Sequence, residues 1–319
     1  MTTAPTVRSR AVRRIPVGAA LLLVASAAFH TLVLALDGGP WDDPVSWRKP
    51  ITFGLSFGIS VLTVTWVCRL LTLPARSRTL LLGAFTAASL LETGLITLQA
   101  WRGVPSHFNT ETPFDTFVTR ALAAGGVTLI AVVVALTVAA LRPQPTAAPS
   151  MRLALRAGLV ALTGSMAAGA VMIAYGLTLE GAGRVAEAYR SAGFLRPAHA
   201  VTMHAVLLLP SLAWLLSRTR RPEAERLRLL RVTVAVYGAG AALVTTAAAV
   251  GLTFATPATA AAVSAGVTTA PALVFWAFGA RQAVREIRAS TRPIDRVPTH
   301  GPHQAAPVGG PDDDRRLDA

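Results

Sequence analysis

His30, Glu92, Arg120 and His204 each lie inside a long apolar stretch of this 319-residue chain. Ionisable groups in such surroundings are costly and turn to a partner or to a wet cavity. Glu92 and Arg120 carry opposite charges and form the expected pair, which either ties two helices together or lines a pocket. Ser89, Glu92 and Gln99 follow i, i+3 and i+10 spacing and share about one helix face. His30 lies about six residues from one end of its stretch, roughly 9 Å deep at 1.5 Å per residue, and His204 lies at a similar depth. Ser56 enters a further stretch to a comparable depth, so five helices contribute polar groups to one layer.

Histidines at matched depth raise the question of metal. His199 and His204 are five residues apart and about 140° apart on a helix, so they do not chelate one ion as an i, i+4 pair does. A ligand set drawn from separate helices remains open: His30 with His204 for a b-type haem, or His30, His107 and His204 with a carboxylate for zinc. The alternative is that each histidine is a hydrogen-bonded packing residue. No P-loop, G-x-S-x-G or H-E-x-x-H pattern occurs.

The segment from Trp101 to Asp115, "WRGVPSHFNTETPFD", concentrates groups that bind or turn: Arg102, Ser106, His107, Asn109, Glu111, Thr112 and Asp115, interleaved with Phe108 and Phe114. It is expected to be a lid over a polar cavity, the other reading being a solvated turn anchored by aromatics. Lys49, the one lysine among 30 basic residues, stands in "WRKPITFGLSFG" at the head of an apolar run. It either snorkels to headgroups beside Trp47 or joins Arg48, Arg102 and Arg120 in a cationic collar that attracts an anionic ligand.

These residues have to be positioned by membrane helices. Hydrophobic residues make up 53% of the chain and charged ones 14%, far from the balance of a soluble domain. Spanning a bilayer takes about 20 apolar residues, and eight such stretches are expected: Ile15 to Leu36, Pro50 to Cys68, Thr79 to Ala100, Phe117 to Leu141, Ala157 to Leu179, Pro197 to Ser217, Val232 to Ala255 and Pro257 to Ala280. The fold class is an all-α polytopic transmembrane bundle. The domain runs over residues 15–284, between polar tails at 1–14 and 285–319 that are expected to be disordered and cytoplasmic. Small residues, among them Gly164, Ala168, Gly238 and Ala261, are spaced for close helix contact. Pro210 and Pro271 are expected to bend their helices.

The net charge of +14 is distributed by side. With the N-terminus inside, 23 basic residues fall on inner segments and 7 on outer ones, while the 16 acids divide equally. That is the positive-inside pattern, with both termini cytoplasmic, and it removes nucleic acid as the partner. Ala25-Ser26-Ala27 resembles a signal-peptidase site, but the apolar run continues to Leu36 and spans a bilayer by itself. The single cysteine, Cys68, excludes an intramolecular disulfide. A weak duplication, basic-proline to tryptophan-arginine, links Arg48–Arg69 with Arg196–Arg218 and implies two four-span halves. The segment Glu180 to Arg196 is expected to be an interfacial helix with Tyr189 and Phe194 toward lipid.

The strings "WRKPITFGLSFG", "SHFNTETPFD" and "HAVTMHAVLLLP" resemble those of uncharacterised multi-pass membrane proteins of high-GC bacteria. The resemblance implies a place in the cytoplasmic membrane and carries no activity. Three functions follow from the residues: binding or translocation of a small anionic or lipid-like ligand, a membrane enzyme or redox protein holding zinc or haem, or a structural accessory protein. For the first, the expected ligand-binding set is His30, Glu92, Gln99, Arg120, His204, Arg48, Lys49, His107, Asn109 and Asp115.

Overall fold

The computed structural model describes residues 7–41, 43–250, 276, 277, 281, 284 and 285. Among the described residues there are eight helices: α1 (Val7–Asp37), α2 (Arg48–Leu70), α3 (Ala75–Trp101), α4 (Pro113–Leu141), α5 (Pro149–Gly181), α6 (Val185–Ser191), α7 (Arg196–Ser217) and α8 (Glu223–Ala249). All but α6 are long and apolar enough to cross a membrane, giving seven candidate spans. The protein is therefore an all-α multi-pass membrane protein. The eighth expected span, Pro257 to Ala280, lies outside the described residues except for Trp276 and Ala277, as do Pro271 and nearly all of the C-terminal tail.

Several helices outrun their apolar stretches. α1 starts at Val7 rather than Ile15, α5 at Pro149 rather than Ala157, and α8 at Glu223 rather than Val232. Hydropathy marks the part of a helix that suits lipid, whereas the helix continues into polar surroundings where its start is favourable. Pro149 occupies the first turn of α5, and Glu223 and Glu225 face the positive end of the α8 dipole.

The connections at 38–47, 102–112 and 182–195 gather at one end of the bundle, the long-loop end. Those at 71–74, 142–148 and 218–222 gather at the other, the short-loop end. At the short-loop end, side chains satisfy helix-terminal backbone groups that would otherwise lack partners. Gln144 accepts from the Thr72 amide at 2.7 Å and donates to the Ala139 carbonyl at 2.7 Å. Arg78 donates to the Cys68 carbonyl at 2.9 Å, and Arg156 donates to the Ala140 carbonyl at 3.0 Å.

The tightest helix pairs are α5 with α7 and α1 with α2. Small residues make both possible. A Cβ on Gly54 would come within 2.8 Å of the Leu23 carbonyl, one on Gly58 within 2.6 Å of Val24, and one on Gly158 within 2.9 Å of Val206. Gly164 and Gly238, expected at such contacts, face open space instead. Spacing alone does not say which face of a helix meets a neighbour. α7 continues through Pro210 without a break. α1, α2 and α3 pack mutually, α5, α7 and α8 do likewise, and α4 joins α3 to α5.

Candidate functional site

Glu92 lies in α3 with 5% of its surface exposed. Ser89, Glu92 and Ile96 belong to the buried positions of that helix, and Glu92 meets α4 where that helix carries Gly125 and Gly126. A Cβ at Gly125 would stand 2.5 Å from Glu92 Oε1, so the glycine makes the space the carboxyl fills. Oε1 has no hydrogen-bond partner among the described residues, and elsewhere on α3 the buried hydroxyls of Thr93 and Thr97 are likewise unsatisfied. The expected partner, Arg120, does not reach it. Arg120 is exposed on α4, and five residues of helix turn it about 140° away from the Gly125 face.

Among the described residues, the ion pair that links the end of α3 to the start of α4 is Arg102 with Asp115, at 2.5 Å. Asp115 is buried and also accepts from Gln99 Nε2 at 2.9 Å and Thr112 Oγ1 at 2.6 Å. Thr112 caps α4 by accepting from the Asp115 amide. Arg102 donates to Gln99 Oε1 as well and lies over the Phe114 ring at 4.8 Å. Gln99 and Asp115, expected to bind ligand, are thus consumed in a latch between the end of α3 and the start of α4.

His30 is enclosed by α1, α2 and α3. Its Nδ1 donates to the Ser26 carbonyl at 2.7 Å, and its Nε2 accepts from Trp101 Nε1 at 3.0 Å. An indole N–H only donates, so this pattern fixes the neutral ring with the proton on Nδ1. Trp47 stacks at 5.9 Å from His30 and donates to Asp37 at 2.9 Å. His204 is exposed on α7 with Nδ1 on its own helix, at the Ala200 carbonyl. His199 is the inward histidine, hydrogen-bonded to the Ser165 carbonyl of α5 at 2.8 Å. The zinc set of His30, His107 and His204 is not assembled, nor is His30 opposed by His204 for haem. Among the described residues no three His, Cys, Asp or Glu side chains converge on one point.

The 102–112 connection packs down onto the bundle, with Ser106, Phe108 and Asn109 buried. Phe108 has φ 56°, a left-handed conformation unfavourable for a bulky residue. Its ring occupies the place a side chain at Gly176 of α5 would take and packs against Leu179, Ala188 and Tyr189. Tyr189 therefore turns inward, contrary to the expected lipid-facing position, and burial pushes its phenol up to about 12. Phe194 is exposed as expected. Asn109 serves the loop itself, its side chain accepting from the Glu111 amide at 3.1 Å.

Lys49 is half-buried beneath this loop. Its ammonium donates to the Pro44 carbonyl at 2.9 Å and to Ser106 Oγ at 3.5 Å, both uncharged. Arg48, Arg196 and Asp43 stand close enough to influence it electrostatically. Arg48 itself donates to the Trp41 carbonyl at 2.9 Å. Ser106 Oγ is 2.9 Å from His107 Nδ1. Burial, and then the Lys49 ammonium, depresses the His107 pKa to about 3, so the ring is neutral at ordinary pH. Lys49, Ser46, Ser106 and Ile96 line a crevice that leaves no room for a water molecule. Ile96 is one helical turn beyond Glu92 on the same face and packs with Phe53, Val118 and Leu122. An apolar layer thus separates the Lys49 crevice from the Glu92 carboxyl.

Sequence reasoning named Ser106, Phe108, His199 and Arg196 without the contacts they make, and did not single out Gly125, which makes room for Glu92. The adjacent glycines at 125 and 126, inside an otherwise bulky apolar helix, were the available signal of a close approach. No protein-family model, curated protein or solved structure matches this chain.

Proposed function

We propose that this is a cytoplasmic-membrane protein that binds or translocates a small anionic or lipid-like ligand from its long-loop end, with a proton taken up at Glu92. The observation that carries the reading is the Glu92 carboxyl: buried inside a span, one oxygen unpartnered, and facing glycine rather than a cation. Burying a carboxylate without a counter-charge is costly, so such a group holds a proton or exchanges one with a changing environment. Arg120 is not its partner, and positions 51–67 of α2, 121–141 of α4 and the rest of 79–98 of α3 contain no acidic or basic residue. The titratable groups of the packed helices nearest in sequence depth are His30 on α1, Lys49 on α2, and Asp115 and Arg120 on α4. They belong to the long-loop side of the apolar layer.

At that end Lys49, with Arg48 and Arg196 nearby, supplies the positive field for an anion. The 102–112 loop is the lid: its strained Phe108 and the closed crevice beneath it support a closed state that must open for entry. The long-loop end is then extracytoplasmic, by the distribution of arginine.

A hydrophobic carbodiimide tests the reading, because it modifies protonated carboxylic acids in apolar surroundings. In membranes containing the full chain, the adduct should map to Glu92, form more slowly as pH rises, and vanish in Glu92→Gln. Inorganic phosphate added as probe should alter the rate in the wild type and leave it unchanged in Lys49→Gln. A folded protein that is not labelled at Glu92 would remove the proton site and with it the reading.

A further inference from the structure

At the short-loop end a groove of about 320 Å³ opens between α5 and α8, lined by Pro149, Arg152, Leu153, Arg156, Leu227 and Arg231. Arg152 and Arg156 are four residues apart and so lie on one face of α5, while Leu227 and Arg231 do the same on α8. The acids of this end among the described residues are already engaged. Glu223 accepts from the Ser150 amide at 2.7 Å and pairs with Arg226 at 3.2 Å, and Glu225 pairs with Arg221. Arg156 is held by carbonyls at the end of α4. The guanidinium groups of Arg152 and Arg231 have no hydrogen bond or ion pair among the described residues. Three cations therefore converge on a concave space with no anion of the described chain in it.

We propose that this groove seats the headgroup of an anionic phospholipid, its phosphate held by Arg152, Arg156 and Arg231 and its chains lying along Leu153 and Leu227. Guanidinium groups suit phosphate because their planar fork donates two parallel hydrogen bonds. Lipid fits better than a soluble anion because two leucines share the lining with the arginines. Both helices also present most of their surface outward, and Val160, one turn beyond Arg156 on the same face of α5, is exposed. A basic pocket between transmembrane helices at one membrane surface is the geometry that captures acidic headgroups. The site is separate from the long-loop end and does not depend on the reading of Glu92 or Lys49.

The test is native mass spectrometry of the detergent-purified full chain titrated with phosphatidylglycerol and, in parallel, phosphatidylcholine. The wild type should retain the anionic lipid preferentially. The double variant Arg152→Gln, Arg231→Gln should lose that preference by about 30-fold, the loss expected for two surface cations. Circular dichroism identifies a variant that has not folded; the single variants, each expected to lose about 5-fold, then replace it. Equal binding of both lipids by the wild type would overturn the proposal. So would inorganic phosphate that competes as strongly as the lipid, since the acyl chains would then add nothing. Anionic-lipid binding that emerges only after deletion of residues 311–319 would overturn it too, by assigning the groove to the acidic Asp312–Asp314 run of the chain's own tail.

Discussion

At the scale of single residues, charge partners were decided by rotation about the helix axis. Glu92 and Arg120 are the opposite charges that sequence places in neighbouring spans, yet Arg120 is exposed and Glu92 meets glycine. Arg102 and Asp115, each near a helix end, are the pair that forms. His107 carries a measurable consequence. Its pKa of about 3 in the folded protein lies below the ordinary histidine value of 6.5. As pH falls from about 6.5 toward 3 the unfolded chain takes up a proton that the folded ring refuses, so stability must decline through that window. Thermal unfolding of the purified protein should show the melting temperature falling between about pH 7 and pH 4, with a shallower fall in His107→Gln. Equal slopes in the two proteins would show that the ring accepts a proton without resistance.

At the scale of helices, contact is set by where the small residues point. Gly54 and Gly58 let α2 lie against the α1 backbone, whereas Gly94 of α3 faces open space. Gly58→Leu should therefore cost about 1–3 kcal/mol through overpacking against Val24 and Ala20. Gly94→Ala should be neutral or stabilising by roughly 0.5–1 kcal/mol, since alanine is the better helix former. Denaturation midpoints in one detergent compare the two directly, and similar effects from both would mean that α1 and α2 are not in close contact. The spans themselves were legible in hydropathy, though their polar extensions were not, because lipid-facing composition stops where the bilayer does while the helix does not. The connector α6 was also foreseeable, but not the inward turn of Tyr189, which depends on Phe108 arriving from a loop some 80 residues away in sequence.

At the scale of the whole molecule, arginine distribution and the bundle's two unlike ends bear on orientation. We infer that the short-loop end is cytoplasmic. In a Cys68→Ser background, Glu111→Cys should react with a membrane-impermeant maleimide in intact cells, and Thr146→Cys should react only after the membrane is opened. The reverse pattern would invert the protein and move the Lys49 crevice to the cytoplasm. α1, α2 and α3 pack against one another, and so do α5, α7 and α8. The 102–112 loop touches both groups, resting Phe108 on α5 and Ser106 near Lys49 of α2.

Sequence by itself determined the solvent: a composition of this kind, cut into apolar runs of bilayer length, leaves helices as the available spanning structure, because backbone groups in lipid must be satisfied within the segment. It also singled out Lys49, Glu92 and the loop after Trp101 as places where polar chemistry needed explaining. Tertiary structure decided which of those groups meet. A difference of a few residues along a helix turns a side chain from the bundle interior to its surface, and hydropathy, averaged over a span, carries no record of that angle. Hence Asp115 and Gln99 became a latch, His204 faced outward while His199 faced in, and Glu92 kept an unpartnered oxygen against Gly125.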